Sequence, residues 1–235
     1  MTQVQAQPAG LQFSCFVTGT DTEIGKTLVS SALLHALAQR GLGSAGMKPV
    51  AAGASLLDGE WHNEDVDMLQ AASSVKLPVS LVCPYLMQAP AAPHIVALHE
   101  NVDISAAHIL DCYAQLTQQA QAVVVEGVGG FCVPLNDELD TADLAQQLAL
   151  PVVLVVGMRL GCLSHALLTV EAIAARGLKL AGWVANTVDA DMKYVEENLQ
   201  ALSRRIAAPL LGHIPRLPNP GYEAAASYLN LNLLM

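Results

Sequence analysis

The stretch Gly19-Thr20-Asp21-Thr22-Glu23-Ile24-Gly25-Lys26-Thr27 sits between an apolar, β-branched run and an Ala/Leu-rich run with helical spacing. A loop that leaves a strand and enters a helix turns its backbone amides and the positive end of the helix dipole toward one point, and glycines let an anion approach them closely. A Lys at the end of such a loop neutralises β/γ-phosphate charge, and the next hydroxyl coordinates Mg²⁺, the cation that accompanies ATP. Lys26 and Thr27 hold those two positions. Five residues separate Gly19 from Gly25 where the common form has four, but the Gly-Lys-Thr end is intact. Glu23 is unusual here. Its charge repels ATP unless a cation such as a substrate amine lies beside it, or unless the side chain points away into solvent, and the two readings stand level.

Short β-branched runs alternate with helical spacing along the whole chain, the pattern of βαβ units. It predicts strands at 13–18, 45–50, 122–126, 151–157, 180–186 and 210–214, and helices at 27–40, 65–72, 105–120, 141–148, 163–176 and 190–207. The expected fold is therefore an α/β P-loop NTPase fold, a mainly parallel sheet with helices on both faces. Hydrophobic residues form 53% of the chain and aromatics only 4%, so the core must be built from Ala, Leu and Val, as buried parallel sheets usually are. A length of 235 residues suits one domain spanning 1–235.

A net charge of −10 with no Lys/Arg run repels a nucleic-acid backbone, so a small-molecule ligand is expected and no nucleic acid. Residues 1–11 lack a basic start and an apolar core, and the aliphatic run at 148–156 is broken by Pro151, so neither export nor membrane insertion is expected. The five cysteines are widely spaced without a CxxC pair, which suits buried thiols in a reducing cytoplasm. The seven histidines show no metal-ligand spacing, so no zinc site is expected. Pro84, Pro90 and Pro93 predict an irregular loop over 84–93, of the kind that often lines a site.

In open α/β sheets ligands lie beyond the carboxyl ends of the strands, so the residues that end each strand carry the chemistry. Lys48 ends the second strand, where an ammonium is costly unless it meets an anion or solvent; it is read as a second cation over the transferred phosphoryl group. Glu126 ends Val123-Val124-Val125 and is read as a second magnesium contact, with Gly127, Gly129 and Gly130 letting backbone approach a ligand. Asp65, in His62-Asn63-Glu64-Asp65, is balanced between metal ligand and helix cap, with Asn63 as the other capping candidate. Asn186 ends the fifth strand, where its amide could pair with an adenine edge; on its own residues the tight-turn reading is favoured.

The string Val17 to Thr27 followed by Lys48-Pro49-Val50 resembles the dethiobiotin synthase family. The likeness continues through Asn63-Glu64-Asp65, Ala92-Pro93-His94, Val124 to Gly127, Arg159-Leu160-Gly161-Cys162 with His165-Ala166, Trp183 to Asn186, and Leu211 to Pro215. The resemblance implies a cyclo-ligase of biotin biosynthesis. 7,8-Diaminononanoate and CO2, drawn from bicarbonate, form a carbamate that ATP phosphorylates to a mixed anhydride, and the second amine closes a cyclic urea. It implies magnesium held by Thr27, Asp65 and Glu126, with Lys26 and Lys48 as the catalytic cations. It implies ATP contacts from Glu23, Ile24, Gly25 and Leu28 in the loop, from Gly127, Val128 and Gly129, and from Asn186, Thr187, Pro215, Arg216 and Leu217 around the base. Thr22, Lys48, Ala52 and Ser164 would touch the diamine. The resemblance also implies a cytoplasmic homodimer whose Gly161 to Ser164 segment meets the other subunit's substrate, with Tyr194 reaching the substrate carboxylate.

Departures from that pattern are Ala52 for a Ser, Ser164 for an Asn, Val128 in a small-residue run, and a displaced ribose-contacting Glu at Glu223. An alternative is a partition or septum-positioning P-loop ATPase switch. Its early loop Lys is replaced here by Thr20, Asp21 and Thr22, and the tail 228–235 lacks a basic amphipathic helix. An amidation enzyme of cobyrinate type would need a further glutaminase unit.

Overall fold

The computed structural model describes residues 10–235. The reading of residues 1–11 as neither leader nor anchor therefore falls, but for its last two positions, outside the described residues. The chain runs β1 (Phe13–Gly19), α1 (Lys26–Gln39), β2 (Ser44–Met47), β3 (Val50–Ala51), β4 (Ser55–Leu57), β5 (Glu60–His62) and α2 (Glu64–Ala72). It continues with α3 (Val79–Val82), β6 (Tyr85–Leu86), α4 (Pro93–Glu100), α5 (Ala106–Thr117), β7 (Ala122–Glu126), α6 (Thr141–Leu148) and β8 (Val152–Met158). Last come α7 (Cys162–Ala175), β9 (Leu180–Thr187), α8 (Val195–Ser203), β10 (Leu210–Ile214), α9 (Tyr222–Ala226) and a 3₁₀ turn at Leu231–Leu233.

Six strands form one sheet in the order β10-β9-β8-β1-β7-β2, and every neighbouring pair is parallel. Successive side chains of a strand point to opposite faces. Phe16, Val123 and Val125 accordingly pack with Ile109 and Leu116 of α5 and Leu144 of α6. Cys15, Val17 and Val124 meet Leu33, Leu34 and Leu37 of α1 on the other face. A third cluster joins Leu154, Val156 and Trp183 to α7 and α8. The mainly parallel sheet with helices on both faces is as expected. From β1 the strands lead one way to β7 and β2 and the other way to β8, β9 and β10, so the connections change direction at β1. The loop after β1 lies at that switch point, where open α/β sheets bind ligands.

Four local expectations are corrected. The strand expected at 45–50 is split: β2 stops at Met47, Lys48 donates its N–H to the carbonyl of Val82 (2.8 Å), and Val50–Ala51 pairs with Tyr85–Leu86 in a separate small sheet. Pro49 has no N–H to continue the main ladder. The loop 84–93 is less irregular than expected, since it contributes β6 and its Pro93 opens α4 at the first helical turn, where a missing donor costs nothing. The helix expected at 190–207 is only Val195–Ser203, because Asp189 Oδ1 accepts the N–H of Asp191 (2.9 Å) in a local turn and Tyr194 has a left-handed backbone (φ 58). Asn186 lies within β9 and not in a turn. The β4–β5 hairpin was not anticipated, although its Asp58-Gly59 turn, with φ of 51 and 88, has the composition that favours tight hairpins. Among the described residues no helix is long and apolar enough to cross a membrane.

Candidate active site

The carboxyl ends of β1, β2 and β7 bring three of the singled-out side chains together. Val17 of β1 is in register with Glu126 of β7, and Met47 of β2 with Val125, so Lys48 leaves its strand beside Glu126. Lys48 Nζ lies 2.6 Å from Glu126 Oε1 and 2.7 Å from Asp65 Oδ2, and it donates to the carbonyl of Gly127 at 3.2 Å. The Thr27 hydroxyl, on the first turn of α1, reaches Asp65 Oδ1 at 2.6 Å and Glu126 Oε1 at 2.9 Å. Asp65 comes from α2, and the capping question is answered by Asn63. Its Oδ1 accepts the N–H groups of Asp65 (3.1 Å) and Val66 (3.4 Å), while its Nδ2 ties the helix start to the carbonyl of Ala52 (3.1 Å). The Asp65 carboxylate is thereby left for the site.

Lys48 and Glu126 are both buried. Burial works against the Lys48 charge, but Glu126 and then Asp65 outweigh it and hold its pKa above the ordinary lysine value. Burial likewise disfavours ionised Asp65, yet Lys48, Thr27 and Lys26 together keep it below the ordinary carboxylate value. Lys26 is different. Burial, helped by the like charge of Lys48, pulls its pKa down to about 8 against the opposing pull of Glu126, Asp65 and Asp21. Its ammonium donates to the carbonyl of Asp21 at 2.8 Å, folded across the loop.

Whether this group can hold a divalent ion is decided by its donors. Glu126 Oε2 is buried and has no partner among the described residues, a costly state for a carboxylate oxygen. Two carboxylates and a hydroxyl are hard oxygen ligands of the kind Mg²⁺ takes alongside phosphate oxygens and water. The residues present therefore fit the ion. Among the described residues no group of three His, Cys, Asp or Glu side chains is placed to hold a metal, so the set depends on Thr27.

Two clefts meet at the phosphate loop. The larger, of about 730 Å³, is lined by Thr22, Lys26, Thr27, Lys48 and Asp65, with Ala52, Val128 and Gly129 on its walls. The turn Pro90 to Pro93 closes one side, as the proline-rich loop foretold. Val133, Glu64 and Met68 also line it and were not anticipated. The second cleft, of about 500 Å³, is lined by Asn186, Thr187, Pro215, Arg216 and Leu217. Glu23, Gly25 and Leu28 border both. Glu23 is exposed with a left-handed backbone (φ 56), and Ile24 is buried beneath the loop.

Asn186 staples the second cleft to the loop, its Nδ2 donating to the carbonyl of Ile24 at 2.8 Å. Gly25 makes that contact possible. Its φ of 84 is left-handed, and a Cβ there would stand 2.2 Å from Asn186 Nδ2. Gly127 is buried behind Glu126. Ser164 is exposed on α7 and Glu223, the displaced ribose candidate, is exposed on α9; neither lines either cleft.

Comparisons with known proteins place the chain in a family. A family profile described as an AAA domain matches residues 14–223. The chain is 60% identical over 226 residues to the ATP-dependent dethiobiotin synthetase BioD of Janthinobacterium sp. (strain Marseille), covering 94% of this chain and 96% of that one. It is 57% identical over 225 residues to the protein of the same name from Ralstonia nicotianae (strain ATCC BAA-1114 / GMI1000), covering 96% and 98%. Among solved structures, a ParA family ATPase from Chlorobium tepidum TLS superposes with a TM-score of 0.54 over 88% of this chain and 85% of that one; at 14% identity the likeness is one of fold alone.

Proposed function

The chain belongs to the AAA-domain family and to the ATP-dependent dethiobiotin synthetases, and from that premise we propose that its two clefts carry out one ATP-driven ring closure. It is a ligase of biotin biosynthesis. The second cleft takes the adenine and ribose, the loop Glu23 to Leu28 spans the phosphates, and the larger cleft takes 7,8-diaminononanoate and CO2. One domain over 1–235 contains both.

Thr27, Asp65 and Glu126 would hold Mg²⁺, with the unpartnered Glu126 Oε2 as the observation that most favours it. When bound, the ion supplies charge neutralisation at the β- and γ-phosphates. An amine of the diamine adds to CO2, losing a proton and forming a carbamate. A carbamate oxygen then attacks the γ-phosphorus, ADP leaves, and a carbamic–phosphoric anhydride results. The second amine attacks the carbonyl carbon and loses a proton, phosphate departs with the C–O electron pair, and the cyclic urea closes. Carbamate and γ-phosphate are both anions, so the barrier is one of repulsion and alignment. Lys48 Nζ answers it. Held 2.6 Å from Glu126 and buried, it spends all three of its N–H groups on Glu126, Asp65 and the carbonyl of Gly127. By releasing that carbonyl, its longest contact at 3.2 Å, it can turn one donor to the charge that spreads over the equatorial phosphoryl oxygens. Lys26 leaves the carbonyl of Asp21 for the phosphates. Asn186 keeps one amide hydrogen on Ile24 and has its oxygen and second hydrogen for the adenine edge.

Thr22 and Ala52 face the diamine from the same chain as Lys48. Ser164 lies outside both clefts, so a homodimer would have to carry it in. Leu160 and Leu168 are 96% and 62% exposed beside it, apolar area that a second copy would cover, and Tyr194, 70% exposed, is available to reach across. All five cysteines are free, which suits a reducing cytoplasm.

The observation that carries the proposal is the convergence of Lys48, Thr27, Asp65 and Glu126 at one end of the phosphate loop. The test is incubation with ¹³C-bicarbonate, 7,8-diaminononanoate and Mg·ATP. Carbon NMR and mass spectrometry should find the label in the urea carbonyl of dethiobiotin, and unlabelled or absent product would sink the proposal.

A further inference from the structure

The pairing of β1 with β8 ends where Gly19 faces Val155. Three contacts then continue at every second residue along β8 and just past it. The N–H of Thr20 donates to the carbonyl of Val155 (3.0 Å), the N–H of Gly157 donates to Thr20 Oγ1 (3.5 Å), and the Arg159 guanidinium pairs with Asp21 Oδ2. Backbone groups of alternate strand residues face the same neighbour, so 155 and 157 address the β1 side, and Arg159, one residue past the end of β8, reaches the same segment with its side chain. The side chains of Thr20 and Asp21 prolong a ladder that the backbone has abandoned for the phosphate loop.

Asp21 is held at three atoms. Oδ2 takes Arg159, Oδ1 takes the N–H of Thr22 at 2.8 Å, and its carbonyl takes Lys26 Nζ at 2.8 Å. The guanidinium is thus one residue removed from a wall of the larger cleft and one hydrogen bond removed from the loop lysine. Both side chains of the pair are about two-fifths exposed (42% and 40%), so its effect on folding is small. Its position, at the point where the loop departs from the sheet, has a larger effect on where the loop amides point.

We infer that Arg159 is a positioning residue for the phosphate loop, acting through Asp21 on Thr22 and Lys26; this rests on reading the two clefts as the ATP site. Without the guanidinium, Asp21 retains only the bonds internal to the loop, and the stretch between Thr20, fastened to β8, and Ile24, fastened to Asn186, loses its tie to the sheet. Displacements of about 1 Å at a site that works by alignment are costly.

The experiment is calorimetric titration of Mg·ADP into the full-length protein, comparing wild type with Arg159→Ala, Arg159→Lys, Asp21→Asn and the double variant Arg159→Ala/Asp21→Asn. Arg159→Ala and Asp21→Asn should each weaken binding about tenfold, and the double variant no further, because both break one contact. Arg159→Lys should recover affinity to within about threefold, since an ammonium can still reach the carboxylate. In turnover the KM for ATP should rise while that for the diamine changes less than about twofold, and melting temperatures should stay within about 2 °C.

Wild-type affinity in Arg159→Ala, a double variant equal to the product of the singles, or an affinity loss matched by a large drop in melting temperature would overturn the inference. ADP binding needs no diamine, so a wild type that binds ADP tightly yet makes no product sinks the synthetase reading alone. A wild type that fails to bind ADP overturns both.

Discussion

Lys48 Nζ stands 2.6 Å from Oε1 of Glu126, with the lysine side chain 3% exposed and the glutamate 0%. A buried charge persists only when paired, and the buried Lys48 ammonium is paired here with Glu126 and, at 2.7 Å, with Asp65, whose side chain is 40% exposed. On the proposed mechanism the lysine's charge acts mainly on the phosphoryl group in transfer. Lys48→Gln should leave Mg·ADP affinity within about threefold of wild type and lower turnover on the order of a hundredfold. Steady-state kinetics beside a nucleotide titration separates the two, and equal losses of binding and rate would contradict the role.

The same substitution leaves Asp65 and Glu126 facing each other without their ammonium. Breaking a buried pair from one side costs about 3–5 kcal/mol. Lys48→Gln should therefore melt well below wild type in EDTA and recover part of the loss when Mg²⁺ is added, whereas wild type should gain less from the ion. Identical metal-dependent shifts in both proteins would argue against a shared carboxylate site.

Glu126→Gln and Asp65→Asn should each remove a hard ligand while keeping size. Turnover should fall by about a hundredfold or more, with the Mg²⁺ concentration giving half-maximal rate raised. Melting with ADP, with and without Mg²⁺, supplies a check independent of chemistry. A Glu126→Gln enzyme with an unchanged Mg²⁺ requirement would exclude Glu126 from the metal set.

Gly25→Ala meets two obstacles, a left-handed φ of 84 and a Cβ 2.2 Å from Asn186 Nδ2. Such strain costs about 1–3 kcal/mol. Nucleotide binding should be lost or nearly so. Adding Asn186→Ala relieves the clash but not the backbone strain, so the double variant should recover melting temperature in part and nucleotide affinity hardly at all. Full recovery of both would show that the clash alone matters.

Burial pushes the thiols of Cys15 and Cys83 up to about 12. At pH 8 only about one molecule in ten thousand then carries either thiolate, the reactive form. Cys132 is the exposed cysteine. Thiol titration of the native protein at pH 8, followed by peptide mass mapping, should label Cys132 first and leave Cys15 and Cys83 unmodified until the protein unfolds. Early labelling of Cys15 would mean that the β1 core opens readily.

What could be read beforehand was what local chemistry decides. Gly19 to Thr27 carried strand, loop and helix within one stretch, and Glu126 closed a run too apolar for any place but a central strand. Asp65 could not be settled from its neighbours. The answer lay in Asn63, whose amide caps α2 while holding the carbonyl of Ala52, a contact between segments. Asn186 was misplaced in a turn for the same reason: its partner, the carbonyl of Ile24, is 162 residues away. The split of the strand at 45–50 turned on one missing donor at Pro49 and on a pairing partner, Tyr85–Leu86, hidden in a proline-rich stretch that resembled plain loop. The link between Asp21 and Arg159 crosses 138 residues and had no local signal.

The proposed convergence of Lys26, Lys48 and a divalent ion on the γ-phosphoryl group, which lets a carbamate reach it, is tested most directly by the rate of phosphate release from Mg·ATP under omission of each co-substrate. With both 7,8-diaminononanoate and bicarbonate present, release should match dethiobiotin formed one for one, and it should fall to a small background when either is left out. Phosphate release at the same rate without the diamine would contradict the account.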